Sequence, residues 1–277
     1  MRIQYIKENK CVEIIRSLDN MKRTIDTPKG KYEYESQIVY EGIKKIDKLK
    51  AKENLLLFKS IADRNGLVFS LSFGTFLGAM REHDFIEHDE DIDLFVLNED
   101  KEIFLSMLFD LHENGFEVIR YDRRDDLCSI MRNGEYIDIL FFRNVCENVR
   151  QAQSYFLPER FIVNLKEYEF QGAKFLGPRD GEQLLQYWYG ENWNVPIQRD
   201  DFNMPYWKRV IVQIKWKVYE NMPQWLFSII YRKRLLVRIK QHNERVERYY
   251  RLVGEKCEGI SSINAHQAQK IIQIGTI

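Results

Sequence analysis

The chain has 277 residues, with 42 basic and 42 acidic side chains and no formal net charge. Hydrophobic residues make up 44% and aromatics 13%, which excludes a disordered chain and suits one large domain or two small ones. Cys11, Cys128, Cys146 and Cys257 form no CxxC and no disulfide framework, so reduced thiols in a cytoplasmic protein are expected. The opening MRIQYIKENKCVEII lacks the apolar run of a secretory signal, and no window approaches the ~20 apolar residues of a membrane-spanning helix.

In chain order, residues 1–34 are polar and mixed and are taken as an N-terminal extension ending in the loop DTPKGK. From about Ser36 a helical stripe begins, with Ile38, Val39, Ile43, Ile46 and Leu49, then Leu55 to Phe58 and Ile61; Asn65-Gly66 is its stop. LVFSLSFG, residues 67–74, alternates as a strand, and Gly74-Thr75 opens a short helix, TFLGAMR. DIDLFVL is a second strand, followed by a helix from Glu99 to Asn114 with Asn98 as its N-cap and Gly115 as its stop. FEVIRYD, LCSIMR and EYIDILFF are three more strands, the last two joined by the two-residue turn Asn133-Gly134. EFQGAKFLGP reads as a hairpin, and Asp180 with Gln183 as a capping box opening the helix GEQLLQYWYG. This order predicts an α+β fold, a mixed sheet flanked by helices over residues 35–200, then a helical, basic C-terminal region over 201–277.

The charge is unevenly spread. Residues 81–140 hold 18 Asp/Glu against 6 Lys/Arg, whereas 208–251 hold 12 Lys/Arg against 3 Glu. Within the acidic stretch, Asp91 and Asp93 stand two apart on a predicted strand, so their carboxylates share one face. Two neighbouring carboxylates raise each other's pKa unless a cation neutralises them, and oxygen ligands suit Mg²⁺ or Mn²⁺. Asp138 lies in a strongly apolar strand, where an unpartnered carboxyl would cost ~2–7 kcal/mol or more, so it should share that site. A Gly-Thr turn before a helix leaves N–H groups able to hold phosphate, which makes Gly74 and Thr75, with Arg81 beside them, candidates for binding donor phosphate. An EF-hand reading of DEDIDLFVLNED fails because Leu94 stands where that loop needs glycine. The set describes one phosphoryl-transfer site.

The stretch GTFLGAMREHDFIEHDEDIDLFV, Gly74 to Val96, resembles the LicD family of the nucleotidyltransferase superfamily, which includes bacterial phosphocholine transferases and fukutin-related proteins. The family pattern runs approximately GTLLGAvRhxgFIPWDDDIDI, and Gly74, Thr75, Leu77, Gly78, Ala79, Arg81, His83, Phe85, Ile86, Asp89, Asp91, Ile92 and Asp93 match it. YGENWNVP, residues 189–196, resembles the later YGxxWxxP, and Asp138 matches the third carboxylate. The resemblance implies metal-dependent transfer of a phosphorylated group from a nucleotide-activated donor, such as CDP-choline, to a sugar hydroxyl of a cell-surface glycan. By that resemblance Asp91, Asp93 and Asp138 hold Mg²⁺ or Mn²⁺, with Asp138 alternatively the base. Asp89 and Glu90 are positioning candidates, and His83 and His88 contact substrate or are exposed loop residues. Asp84, Glu87, His88 and Glu90 depart from the pattern on the approach loop, where donor or acceptor would be read. Tyr189 and Trp193 are expected to pack the core.

PQWLFSIIYRKRLLVRIK, residues 223–240, places Trp225, Leu226, Ile229, Ile230, Leu236 and Ile239 along one helical stripe crowded by Lys and Arg. Such a helix either lies on an anionic membrane, suiting a lipid-linked acceptor at the inner face of a membrane, or packs on the domain with a solvated charged face. Nucleic acid is a less favoured use of the same charge. Two rival functions stay open: transfer of NMP to a small molecule or RNA end, and a non-catalytic binding module on the same fold, to which Glu90 lends support.

Overall fold

The computed structural model describes residues 22–37, 44–122, 124, 126–153, 155–196, 211, 215, 218–219 and 221–274. The expected helical positions Ile38, Val39 and Ile43, the first 21 residues and most of 197–220 lie outside the described residues.

The described part of the N-terminal extension is a hairpin, β1 (Lys22–Thr27) paired with β2 (Gly30–Glu35). Ile25, Tyr32 and Tyr34 point inward from it and join the main core, with Tyr32 edge-on to Phe109. The first helix, α1 (Lys48–Asn65), starts later than the periodicity from Ser36 predicts, because Asp47 caps it through the N–H groups of Leu49 and Lys50. Gly66 ends it in the left-handed conformation, φ 70°.

The strand expected over 67–74 shrinks to β3 (Ser70–Leu71), and α2 (Phe73–Arg81) begins at once. β4 covers Ile92–Leu97, so Asp91 sits in the bend just before it. The single helix expected over 99–114 is broken into a 3₁₀ turn at Asn98–Asp100, α3 (Lys101–Ser106) and α4 (Leu108–Glu113). Asn98 lies inside that turn rather than capping it.

The three strands predicted next are β5 (Glu117–Asp122), β6 (Leu127–Arg132) and β7 (Glu135–Cys146). Asn133 and Gly134 both have positive φ, 54° and 79°, the conformation a tight two-residue hairpin turn requires. β8 (Val149–Ala152) and β9 (Tyr155–Pro158) extend the far end of β7. The main sheet runs β3-β4-β7-β6-β5; β4 is parallel to β7 and the other neighbours are antiparallel. The molecule is thus a mixed α+β structure, its sheet flanked by helices.

Strand alternation divides the core. Leu94, Val96, Ile130, Ile137, Ile139 and Phe141 pack on one side with α1, α3 and α4. Phe95, Leu127, Leu140 and Phe142 face the other way. They meet α5 (Arg160–Val163), α6 (Gly181–Tyr189) and α7 (Gln224–Val253). Between α5 and α6 lies the expected hairpin, β10 (Leu165–Phe170) with β11 (Ala173–Pro178). Asp180 precedes α6 but makes no capping box; its carboxylate pairs with Arg160 at 2.7 Å.

α7 buries Phe227, Tyr231, Leu235, Ile239, His242, Val246 and Tyr249. Of the stripe predicted from sequence, Ile239 alone is fully buried, while Trp225, Ile229 and Leu236 are 66%, 51% and 50% exposed. The helix has two apolar faces, and the one carrying large aromatic and branched side chains at three- and four-residue spacing goes inward. A last helix, α8 (Ala265–Ile274), follows. Cys128, Cys146 and Cys257 are free thiols. Among the described residues no helix is long and apolar enough to cross a membrane.

Candidate active site

The site forms on the face of the sheet shared with Phe95 and Leu140. β4 and β7 run parallel with Asp93 directly beside Asp138; β6 places Ser129 beside Asp138, and β5 places Arg120 beside Ser129. Directly paired strand residues project to the same face, so Asp93, Asp138, Ser129 and Arg120 form one row across four strands.

Arg120 Nη2 donates to Asp138 Oδ2 at 2.7 Å, Arg120 Nε to Ser129 Oγ at 2.9 Å, and Ser129 Oγ to Asp138 Oδ1 at 2.5 Å. The partner that a carboxyl in this apolar strand requires is therefore a guanidinium and a hydroxyl, where the sequence suggested a metal ion. A β-bulge between Val118 and Arg120 sets this register. Asp138 nevertheless keeps company with the other two carboxylates, since its charge helps to raise the pKa of both Asp91 and Asp93.

Asp93 is fixed from α2. Gly74 N–H donates to its Oδ2 at 3.0 Å, and its own backbone N–H donates to Thr75 Oγ1 at 2.8 Å. Thr75 is buried. The Gly-Thr turn that suggests a phosphate cradle thus spends these two groups on positioning Asp93. Arg81 pairs with Glu82 at 2.6 Å, leaving its buried Nε without a partner.

Burial first, and then the charges of Asp93, Asp138, Asp89 and Glu90, holds Asp91 well above the ordinary carboxylate range. Asp93 is raised likewise by burial and by Asp89 and Asp138, against which Gly74 N–H pulls it down. Asp89 is pushed up to about 6, mainly by burial. Tyr136, two residues before Asp138 on the same face, is buried, and burial with Asp91 and Asp138 pushes its hydroxyl far up. The donor set is all oxygen and its charge is in excess, which fits a hard divalent cation. Asp91 and Asp93 are the carboxylates free to take one; among the described residues no group of three His, Cys, Asp or Glu side chains is arranged as a ready-made metal site.

Two glycines are dictated by close approach. A Cβ on Gly74 would land on Asp89 Oδ2, and one on Gly78 would lie 2.5 Å from the backbone oxygen of Asp84. The approach loop is therefore pressed against α2. Asp84 ties that loop to the rest of the fold, accepting from Lys48 Nζ at 2.8 Å and Gln171 Nε2 at 2.7 Å. Glu87 pairs with Lys45 at 3.2 Å on the surface. These two departures from the family pattern are thus engaged within the protein. His83 is exposed, with φ 53°, and His88 is half-buried. Trp193 packs against the core as expected, but Tyr189 is 40% exposed.

Arg120, Ser129 and Tyr136 are the site residues that sequence reasoning missed. Arg120 carried a signal: a guanidinium inside the apolar alternation of FEVIRYD needs a buried anion. Ser129 carried none, since its role depends on strand register.

The sheet, the α2 turn and the row of carboxylates thus form one site. Residues 66–180 match the family model described as LicD/FKTN/FKRP, nucleotidyltransferase domain. An uncharacterised protein of Rickettsia prowazekii (strain Madrid E) is 24% identical over 184 residues, 60% of this chain and 66% of that protein. An uncharacterised protein of Rickettsia typhi (strain ATCC VR-144 / Wilmington) is 26% identical over 145 residues, 48% of this chain and 45% of that one. The chain thus spans under two thirds of the length of these relatives. Among solved structures, a lincosamide antibiotic adenylyltransferase bound to lincomycin has 13% identity and a TM-score of 0.37, covering 59% of this chain and 95% of that one. ANT(2″)-Ia in complex with adenylyl-2″-tobramycin has 14% identity and a TM-score of 0.38, covering 69% and 98%.

Proposed function

We propose that this LicD-type transferase moves a phosphorylated group, phosphocholine or one like it, from a nucleoside-diphosphate donor to a sugar hydroxyl of a surface glycan. The observation that carries the reading is the Asp93–Asp138–Ser129–Arg120 row beside Asp91, within a domain of the family. The acceptor oxygen forms a bond to the donor's distal phosphorus, and the bridging P–O bond breaks. The nucleoside monophosphate leaves, and the hydroxyl proton passes to a site carboxylate.

Asp91 and Asp93 would hold Mg²⁺ or Mn²⁺, and that ion, when bound, would supply positive charge toward the transferring phosphoryl oxygens. Asp93 is held ready by Gly74 and Thr75. Asp138, clamped by Arg120 and Ser129, sits beside it on the neighbouring strand. Asp89 and Glu90 would position the site, and His83 and His88 would contact substrate.

The exposed face of α7 supports a peripheral membrane location at the inner face, fitting a lipid-linked acceptor. Trp225, Ile229 and Leu236 lie on one exposed face, flanked by the exposed Arg232, Lys233 and Lys240.

Incubation with CDP-choline and other nucleotide-activated donors, Mg²⁺ and acceptor glycan tests the reaction. Release of nucleoside monophosphate, lost in Asp93→Asn and in Asp91→Asn, is the expected result. Pyrophosphate release from NTP would install nucleotidyl transfer instead. Equal Mn²⁺ binding by wild type and the double Asn variant would favour a binding module.

A further inference from the structure

The groups first assigned to donor phosphate are engaged elsewhere: Gly74 N–H and Thr75 Oγ1 with Asp93, Arg81 Nη2 with Glu82. A second set of cations lies against the same turn. Phe73, the residue before Gly74, packs its ring on Tyr155 and Trp188, with centroids 5.2 and 5.0 Å away. Arg238 lies over Tyr155 at 5.3 Å and Arg245 over Trp188 at 4.2 Å, both reaching in from α7.

These arginines are poorly neutralised. Among the described residues neither forms an ion pair: Arg238 hydrogen bonds Gln241, and Arg245 has buried Nε and Nη2 atoms without a hydrogen-bond partner. Arg248 adds a third charge nearby, its Nη2 spent on the carbonyls of Tyr187 and Trp188 at the end of α6. Burial pushes the Arg245 guanidinium down, the Tyr187 hydroxyl beside it pulls the other way, and Arg238 and Arg248 add repulsion. Clustering like charges and burying guanidinium nitrogens is costly without an anion, and stacking on Tyr155 and Trp188 offsets only part of that cost.

We infer that Arg238 and Arg245, stacked on Tyr155 and Trp188 beside the Phe73–Gly74 turn, bind a phosphoryl group of the substrate. This deepens the transferase reading and rests on it: the carboxylates take the cation and the α7 arginines take phosphate. Guanidinium planes give two parallel N–H donors suited to phosphate oxygens. Shared phosphoryl chemistry admits two sources, the diphosphate of the donor and a phosphate on the acceptor.

Calorimetric titration of the full chain with inorganic pyrophosphate, in EDTA and low salt, tests the site without any turnover. Arg238→Ala and Arg245→Gln are each expected to weaken binding about tenfold or more, Arg245→Lys less, and the exposed control Arg251→Gln not measurably. Thermal melting checks that Arg245→Gln folds; Arg238→Ala, at the more open ring, keeps the test informative if it does not. Parallel titrations with cytidine diphosphate and glycerol phosphate separate the sources, and the arginine-dependent one names the occupant. Pyrophosphate binding equal in wild type and both arginine variants, or absent from wild type at millimolar concentration, overturns the inference. Arginine-dependent binding by a protein that transfers nothing from any donor would support the phosphate site while refuting the transferase reading.

Discussion

Acidification should destabilise this protein through one buried imidazole. His242 is fully buried on α7; its Nδ1 lies 2.9 Å from Tyr187 Oη and its Nε2 3.0 Å from the Ser261 carbonyl. The carbonyl can only accept, so Nε2 carries the proton and Nδ1 accepts from Tyr187. A second proton would turn Nδ1 into a donor facing the hydroxyl that donates to it, so the Tyr187 O–H would have to turn away. Burial accordingly pushes the His242 pKa down to about 4. An unfolded histidine titrates near ~6.5. With the folded value below the unfolded one, the contribution is complete above about pH 6.5 and is lost as pH falls toward 4. The unfolded state then gains up to ~3 kcal/mol, of which ~2 kcal/mol is already lost at pH 5. The test compares urea unfolding of wild type and His242→Gln at pH 7.5 and pH 5. Asp89, Asp91 and Asp93, whose raised pKa values act in the opposite direction, cancel between the two proteins. Wild type should lose ~2 kcal/mol more than the variant, about 4–8 °C in melting temperature for a chain of this size. Parallel pH profiles for the two proteins would refute the reasoning.

Gly78→Ala should cost ~1–3 kcal/mol in denaturant unfolding, because its methyl meets the Asp84 backbone oxygen, which cannot swing away as a side chain could. Arg120→Met, by leaving Asp138 with Ser129 alone, should destabilise by ~3–5 kcal/mol, and adding Asp138→Leu should restore part of it; a double-mutant cycle without coupling would contradict the pairing. Replacing Trp225, Ile229 and Leu236 together by Ser should abolish co-sedimentation with anionic vesicles and leave the melting temperature unchanged, since all three side chains are at least half exposed.

The legible parts of the fold were those set by local chemistry. Asn133-Gly134 fixes a hairpin turn by its own backbone preference, and a carboxyl within the apolar run EYIDILFF signals that Asp138 needs a partner. Its place beside the pair depends on β7 lying next to β4, which the residue pattern alone does not give. Less legible were features decided by competition between distant surfaces. α7 offers two apolar faces, and only the presence of Phe156, Val149 and Tyr187 opposite one of them selects it. The helix expected over 99–114 is interrupted at Met107, although Phe104, Leu108 and Leu111 keep helical spacing and share one core. Arg120 reaches Asp138 only through a bulge that shifts its strand's register.

The same competition explains the glycine-threonine turn. In isolation its N–H and hydroxyl look like ligands for phosphate. In the folded chain they meet a carboxylate raised by burial and by Asp89 and Asp138, and the N–H bond from Gly74 is the hydrogen bond that lowers its pKa. The turn holds Asp93 in place and opposes part of the rise in its pKa, which burial and the neighbouring carboxylates still carry well above the ordinary range. Arg238 and Arg245, stacked on the rings that pack against Phe73 and forming no ion pair among the described residues, offer further donors for phosphate. If Arg238 and Arg245 hold phosphate, the acidic centre and the basic tail, which the sequence presents as two regions with different partners, serve one anionic substrate and its counter-ion.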